Sequence, residues 1–168
     1  LKADPVAFAC EVPPKTASVV HRSTHEWADE EWLAQRNETE PLEGPMSIYE
    51  VHLGSWGRLA TPGNRFPNYV QLADPLADHV LAHGFTHVEL LPISEHPFDG
   101  SWGYQPVSLF APTSRFGTPE DFAAFVDTAH RAGGQIVLPP RTGQVAAGDA
   151  LDRQRCGAPN EHRAAAEQ

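Results

Sequence analysis

The spacing of apolar residues along the chain changes several times and marks out a succession of elements. MSIYEVHLG is a short apolar run closed by Gly54, which suits a buried strand. The spacing then turns helical: Asp74 can cap, Pro75 takes the first position, where its missing N–H costs nothing, and Leu76, Ala77, Val80 and Leu81 share one face before Gly84. THVELLPI predicts a second strand. Thr118 then serves as N-cap, with Pro119 in the first turn and Asp121 placed for a capping box; Phe122, Phe125, Val126 and Ala129 follow at helical spacing up to Gly133. QIVL predicts a third strand. Strand, helix, strand, helix, strand, with strands too apolar to have a wet face, predicts a parallel sheet.

Parallel αβ units build an open doubly wound sheet or a closed eight-stranded barrel, and both place the ligand at the carboxyl ends of the strands. No G-x-G-x-x-G follows a strand and no G-x-x-x-x-G-K-[ST] occurs, which removes the usual phosphate-cradling reasons for an open sheet. The expected fold is therefore α/β: a partial (β/α)8 TIM barrel of about three βα units, preceded by an irregular linker. Residues 1–45 are irregular and acidic, with a short helix at WADEEWLAQR and a linker at EPLEGP.

Composition narrows the partners. The 168 residues suit one ordinary domain, and 40% of them are hydrophobic, enough for a core. A net charge of −10 without a Lys/Arg cluster argues against nucleic acid and against an anionic membrane surface. No apolar run approaches the ~18 residues of a membrane span, and LKADPVAF lacks a secretory pattern, so the expected location is the cytoplasm. Cys10 and Cys156 are the two cysteines and have no metal-ligand spacing, so neither a disulfide framework nor a zinc site is indicated; no metal or cofactor is expected.

The chemistry is concentrated between Ser94 and Gly117, a connection of 24 residues where ~2–6 is usual; loops this long tend to be functional. Its first half, EHPFDGSWGYQ, offers Trp102 and Tyr104 as flat platforms, with His96, Asp99, Gln105 and, further on, Arg115 as hydrogen-bonding groups. A ligand with apolar faces and a rim of hydroxyls fits that mixture, and a sugar is such a ligand. The same composition also suits a plug at the end of a barrel. Glu95 and Asp99 form a tempting acid pair, but as exposed carboxylates on one flexible loop without partners they read as solvated rather than catalytic.

YEVHLGSW, GFTHVELLPI, EHPFDGSWGYQ and FAPTSRFGTPEDFAAFVDTAHRAG, in that order and spacing, closely resemble the start of the catalytic barrel of bacterial glycogen branching enzymes, in the α-amylase superfamily. The resemblance covers Met46 to Leu138 and, more loosely, residues 1–45, which look like the exit from a carbohydrate-binding β-sandwich module and its linker. Related trehalose-releasing hydrolases resemble W-G-Y-D more than the W-G-Y-Q here, so Gln105 favours the branching group. The resemblance implies retaining transglycosylation on an α-1,4-glucan such as glycogen, amylose or a maltooligosaccharide: a covalent glucosyl-enzyme forms, and a glucan 6-hydroxyl takes the chain to make an α-1,6 branch. That chemistry needs two carboxyl groups ~5–5.5 Å apart. The family draws them from its fourth and fifth strands, so no catalytic residue is expected here.

What the resemblance carries over is substrate contact. Tyr104 matches the family tyrosine that faces the sugar whose bond is broken, with Trp102, Gln105 and Asp99 beside it. His52 and Trp56 match family positions too, although a His in an apolar strand is more often a hydrogen-bonded core residue. After QIVL the match breaks: Pro139 stands at the family's Asp, Pro140 follows, and RTGQVAAGD comes next. Residues 141–168 have few aliphatic side chains and are expected to be disordered. Their composition suits a GC-rich coding sequence read out of frame, and codons for Arg-Thr-Gly can contain those for Asp-Trp one base out of step. The expected organisation is 1–45 module exit and linker, 46–140 the start of the barrel, and 141–168 a tail. The reading is an inactive branching-enzyme fragment; the alternatives are a non-catalytic glucan-binding polypeptide or a related hydrolase, such as a malto-oligosyltrehalose trehalohydrolase.

Overall fold

The computed structural model describes residues 3–38, 44–57 and 66–137. Its centre is a three-stranded parallel sheet in the order β3 (Ile48–Val51), β4 (His87–Leu90), β5 (Gln135–Val137). The first two strands run in register from Ile48 beside His87 to Val51 beside Leu90, and Val88 pairs with Ile136. Before them come a short antiparallel hairpin, β1 (Ala9–Cys10) with β2 (Ser18–Val19), and helix α1 (Glu30–Glu38). A single turn, α2 (Leu53–Trp56), follows β3. The crossover helices α3 (Tyr69–Ala82) and α4 (Pro119–Arg131) pack side by side. Tyr69, Leu72, Leu76 and Val80 of α3 meet Phe122, Phe125 and Val126 of α4 over Val51, Val88 and Leu90 of the sheet.

Local grammar explains α4 as read. Thr118 Oγ1 accepts from the Asp121 N–H, Asp121 returns the bond to the Thr118 N–H, and Gly133 leaves the helix at φ +84°. For α3 the sequence reading needs correction. The helix begins at Tyr69, not after Asp74, because Asn68 and Gln71 form their own capping box. Pro75 therefore sits inside the helix and removes a backbone hydrogen bond. A proline there costs ~3 kcal/mol; burial of Tyr69, Leu72 and Ala73 in the extra turn offsets it.

The strands are also less uniformly buried than expected. Residues alternate across a sheet, so Val51, Val88 and Leu90 face the helices while Ile48, Glu50 and Glu89 lie on the other side. Ile48 is 42% exposed and Glu50 is exposed, because β3 has no neighbour beyond β4 among the described residues. Glu50 and Glu89 stand directly beside each other on that uncovered face.

The N-terminal segment is strapped along α4. Glu120 accepts from the Thr24 N–H and pairs with His21, Asp127 accepts from the Ala28 N–H, and buried Asp29 holds His130 Nδ1 at 2.7 Å. Trp32 of α1 stacks on the His130 ring with centroids 3.7 Å apart. The residues after the third strand, 138–168, including the segment expected to be disordered, lie outside the described residues. No helix among the described residues is long and apolar enough to cross a membrane.

Candidate functional site

The connection after β4 is built in two tiers. At its base the two legs pair: Thr113 N–H donates to the Ile93 carbonyl, Glu95 N–H to Ala111, and Val107 N–H to Glu95, so the loop starts as a ladder. The hairpin end of the chain backs the outer leg, with Leu109 N–H donating to the Pro5 carbonyl and Ser108 Oγ to Ala7. Beneath it, the buried Tyr69 hydroxyl donates to the Thr113 carbonyl at 2.9 Å. Burial first, then the negative charges of Glu95 and Asp121, push the Tyr69 phenol well above its usual range.

Glu95 overturns the expectation of a solvated, partnerless carboxylate on a flexible loop. It is 2% exposed and accepts five hydrogen bonds. Oε1 takes the His96 N–H (3.0 Å), Thr113 Oγ1 (3.1 Å) and Arg115 Nη1 (2.9 Å), while Oε2 takes the Ser114 N–H (2.7 Å) and Ser114 Oγ (2.6 Å). A buried charge is tolerable only when its lone pairs are satisfied in this way. Asp99 also has a partner, although its side chain is 85% exposed: Arg115 Nε donates to Oδ1 at 2.6 Å. Arg115 further donates to the His96 carbonyl at 2.7 Å.

The upper tier is a tight coil. Asp99–Ser101 form a 3-10 turn, Trp102 follows at φ 53°, and Gly103 at φ 83°. Two successive left-handed residues turn the Trp102 ring outward, and only glycine fits at 103, because a Cβ there would lie 2.2 Å from the Pro92 carbonyl oxygen. Trp102 is 59% exposed.

Between this coil and the end of β3 lies a cleft of about 330 Å³, within the ~300–1,000 Å³ of small-molecule sites. Leu91, Pro92, Ile93 and Phe116 form its apolar floor. Its polar groups are His52, His96, Asp99 and Arg115, and Trp102 stands at the side with its ring centroid 5.7 Å from that of His52. The cleft thus opens at the carboxyl ends of β3 and β4, where parallel αβ folds place ligands.

Both imidazoles are held below their ordinary pKa. For His96 the main cause is burial, aided by the Arg115 charge and opposed by the hydrogen bond to the Ser94 carbonyl. That bond, 2.9 Å from Nδ1, puts the proton on Nδ1 and leaves Nε2 as an acceptor. For His52 the cause is burial, then the neighbouring His96. At neutral pH the cleft therefore offers two uncharged rings, one carboxylate and one guanidinium, a set that can donate to and accept from hydroxyls. Among the described residues no group of three or more His, Cys, Asp and Glu is arranged to hold a metal ion.

Of the residues singled out from sequence, Asp99 and Trp102 line this cleft, as do His96 and Arg115. Tyr104 is 47% exposed and Gln105 is exposed; neither is among the cleft-lining residues. His52 lines the cleft rather than the core, which corrects its reading as a core histidine, whereas Trp56 is structural, its Nε1–H donating to the Tyr49 hydroxyl. Sequence reasoning missed Glu95 as an organising group. The available signal was the acceptor-rich Glu95 at one end of the loop and three donor side chains in a row, Thr113, Ser114 and Arg115, at the other.

No family model matches the chain. Curated proteins do: the chain is similar to the 1,4-alpha-glucan branching enzymes of Rhodococcus jostii (61% identical over 137 residues), Nocardia farcinica (58% over 136) and Pseudomonas aeruginosa (56% over 139). These alignments take in 81–82% of the chain and 17–19% of each relative, so the chain spans about a fifth of the length of the curated relatives it matches. Its structure is similar to part of the crystal structure of a protein described as an alpha amylase from Salmonella typhimurium, with a TM-score of 0.61 and 28% identity over 82% of this chain and 21% of that one.

Proposed function

The chain belongs, as a partial stretch, to the 1,4-alpha-glucan branching enzyme family, and on that premise we propose that its cleft is one wall of the glucan site of such an enzyme. The observation that carries the reading is the placement of Trp102 and Asp99 with His52, His96 and Arg115 around one cleft at the carboxyl ends of two parallel strands. A pyranose presents C–H faces to an aromatic ring and to the apolar floor, while its hydroxyls meet the uncharged imidazoles, the Asp99 carboxylate and the Arg115 guanidinium. Tyr104 and Gln105, exposed and outside the cleft lining, would meet glucan that runs past the rim. In this reading β3, β4 and β5 are the first three strands of a (β/α)8 barrel. The parallel order and the likeness to about a fifth of an α-amylase-type chain support it.

The reaction of the whole enzyme would be retaining transfer of an α-1,4-glucan segment to a 6-hydroxyl, through one carboxylate as nucleophile and a second as acid and then base. Neither role falls to a described residue of this cleft. Glu95 is enclosed by five donors and does not line the cleft, so it and Asp99 cannot flank a glucosidic bond as nucleophile and acid. The chain contributes substrate contact, and its own turnover is expected to be nil.

Two measurements test this. Iodine staining and reducing-end assays on amylose should show neither branching nor hydrolysis by the purified chain; activity that survives repurification would overturn the assignment of a non-catalytic wall. Titration with maltoheptaose, followed by nuclear magnetic resonance, should show millimolar binding, worth ~4 kcal/mol, with shifts at Trp102, Asp99 and the two histidines. Shifts confined to other regions would make the coil a structural plug.

A further inference from the structure

We propose that Glu95 is the positioning residue of the cleft: from beneath the loop it fixes the Arg115 guanidinium, and Arg115 in turn holds Asp99 and the coil that carries Trp102. The proposal deepens the glucan reading and rests on it for the identity of the ligand, though not for the geometry of the clamp.

Three features support it. Each of the five groups facing Glu95 is a donor, so both of its oxygens must accept. A glutamine there would turn an amide N–H₂ toward either the Ser114 N–H or the Arg115 guanidinium, and so lose one side of the clamp. Next, the two carboxylates on Arg115 are unequal: Glu95 is almost fully enclosed, whereas the Asp99 side chain is 85% exposed. Ion pairs in water contribute little, while a desolvated and fully hydrogen-bonded one is costly to break. Arg115 therefore stays with Glu95 and presents a fixed guanidinium to Asp99 Oδ1, which leaves the exposed Oδ2 of Asp99 to accept from a sugar hydroxyl.

The coil, finally, has few other anchors. Ser101 N–H, Trp102 N–H and Tyr104 N–H donate to carbonyls within the coil itself, at Phe98, Asp99 and Ser101. The Arg115 to Asp99 contact reaches from the coil back to the base. The close seat of Gly103 on Pro92 shapes the coil's exit but supplies no hydrogen bond. Glu95, Arg115 and Asp99 thus form a relay from a buried carboxylate to an exposed one, with the Trp102 platform three residues beyond.

The test is backbone ¹⁵N relaxation on the full chain, assigned for residues 99–103, α3 and α4. In the unaltered chain the order parameters at 99–103 should lie near the ~0.85 of rigid backbone, and in Glu95→Gln they should fall below ~0.6, with α3 and α4 unchanged. Arg115→Lys keeps the charge but not the planar fork; it should loosen the same five residues, and it decides the matter if Glu95→Gln does not fold. Unchanged order at 99–103 in a folded variant would overturn the clamp. So would equal loss of order in α3 and α4, which would make Glu95 a general prop of the core. Maltoheptaose titration separates this from the ligand assignment: Glu95→Gln should weaken binding about tenfold, or ~1.4 kcal/mol. If the unaltered chain shows no response to maltoheptaose, the glucan reading fails while the relaxation result still judges the clamp.

Discussion

The base and the tip of the loop after β4 belong to one connection yet differ both in residue type and in burial. At the base, Glu95 and Thr113 are buried polar side chains and Ser114 is half-buried, every one of them bonded to another. At the tip, Trp102, Tyr104 and Phe98 are large aromatic rings left 47–61% exposed. Polar groups are inside and apolar ones outside, the reverse of the usual partition. The difference separates the two tiers: the base uses polar groups to hold its shape, and the tip leaves apolar surface exposed.

Gly103→Ala should break the comparison most severely, because its Cβ would press on the Pro92 carbonyl and its backbone sits at φ 83°. A loss of ~2–3 kcal/mol is expected, read by urea denaturation. A smaller change would mean that the tip can slide over its seat.

Tyr69→Phe attacks the base instead, leaving the buried Thr113 carbonyl without its donor at a cost of ~1–2 kcal/mol. The same residue has a pH signature. The Tyr69 phenol ionises far less readily folded than unfolded. Its contribution is therefore complete below the ordinary value of ~10 and is lost as pH rises above it, when the unfolded chain gives up the proton and the folded one does not. Thermal melts from pH 9 to 11 should show this alkaline decline, and the decline should flatten in Tyr69→Phe.

On the acid side the two cleft histidines sharpen the contrast. Both are held below the ordinary ~6.5, so the unfolded chain takes up protons first and stability falls as pH drops through and below that value. His96→Gln should reduce the acid dependence more than a substitution at exposed His83, as followed by melts from pH 7.5 to 5. Smallest of all, Trp102→Ala should change stability by no more than ~0.5 kcal/mol, as exposed positions do. A large loss there would make the ring a structural plug and erase the distinction between base and tip.

The legible parts of this molecule are those governed by neighbours in sequence. The α4 cap at Thr118 and Asp121, its stop at Gly133 and the strand–helix alternation could all be read because a hydrogen bond three residues away or a repeat of 3.6 needs no tertiary information. The start of α3 was misread because Pro75 is a strong local signal, whereas the weaker Asn68–Gln71 box is reinforced by burial that only the packed core supplies. His52 was misread for the same kind of reason: a residue just past a strand faces the core or the cleft according to what stands opposite, and here that is Trp102.

What the sequence determined by itself was therefore the order of elements, the family resemblance and the unusual length and composition of the loop after β4, all of them carried by local pattern. The tertiary structure alone decided that Glu95 is buried rather than solvated, and that Asp99 and Trp102 share a cleft with His52 while Tyr104 and Gln105 stand outside it. A carboxylate's fate depends on whether enough donors converge to replace water. For Glu95 those donors come mainly from residues 18 to 20 positions away, brought back by the pairing of the loop's two legs.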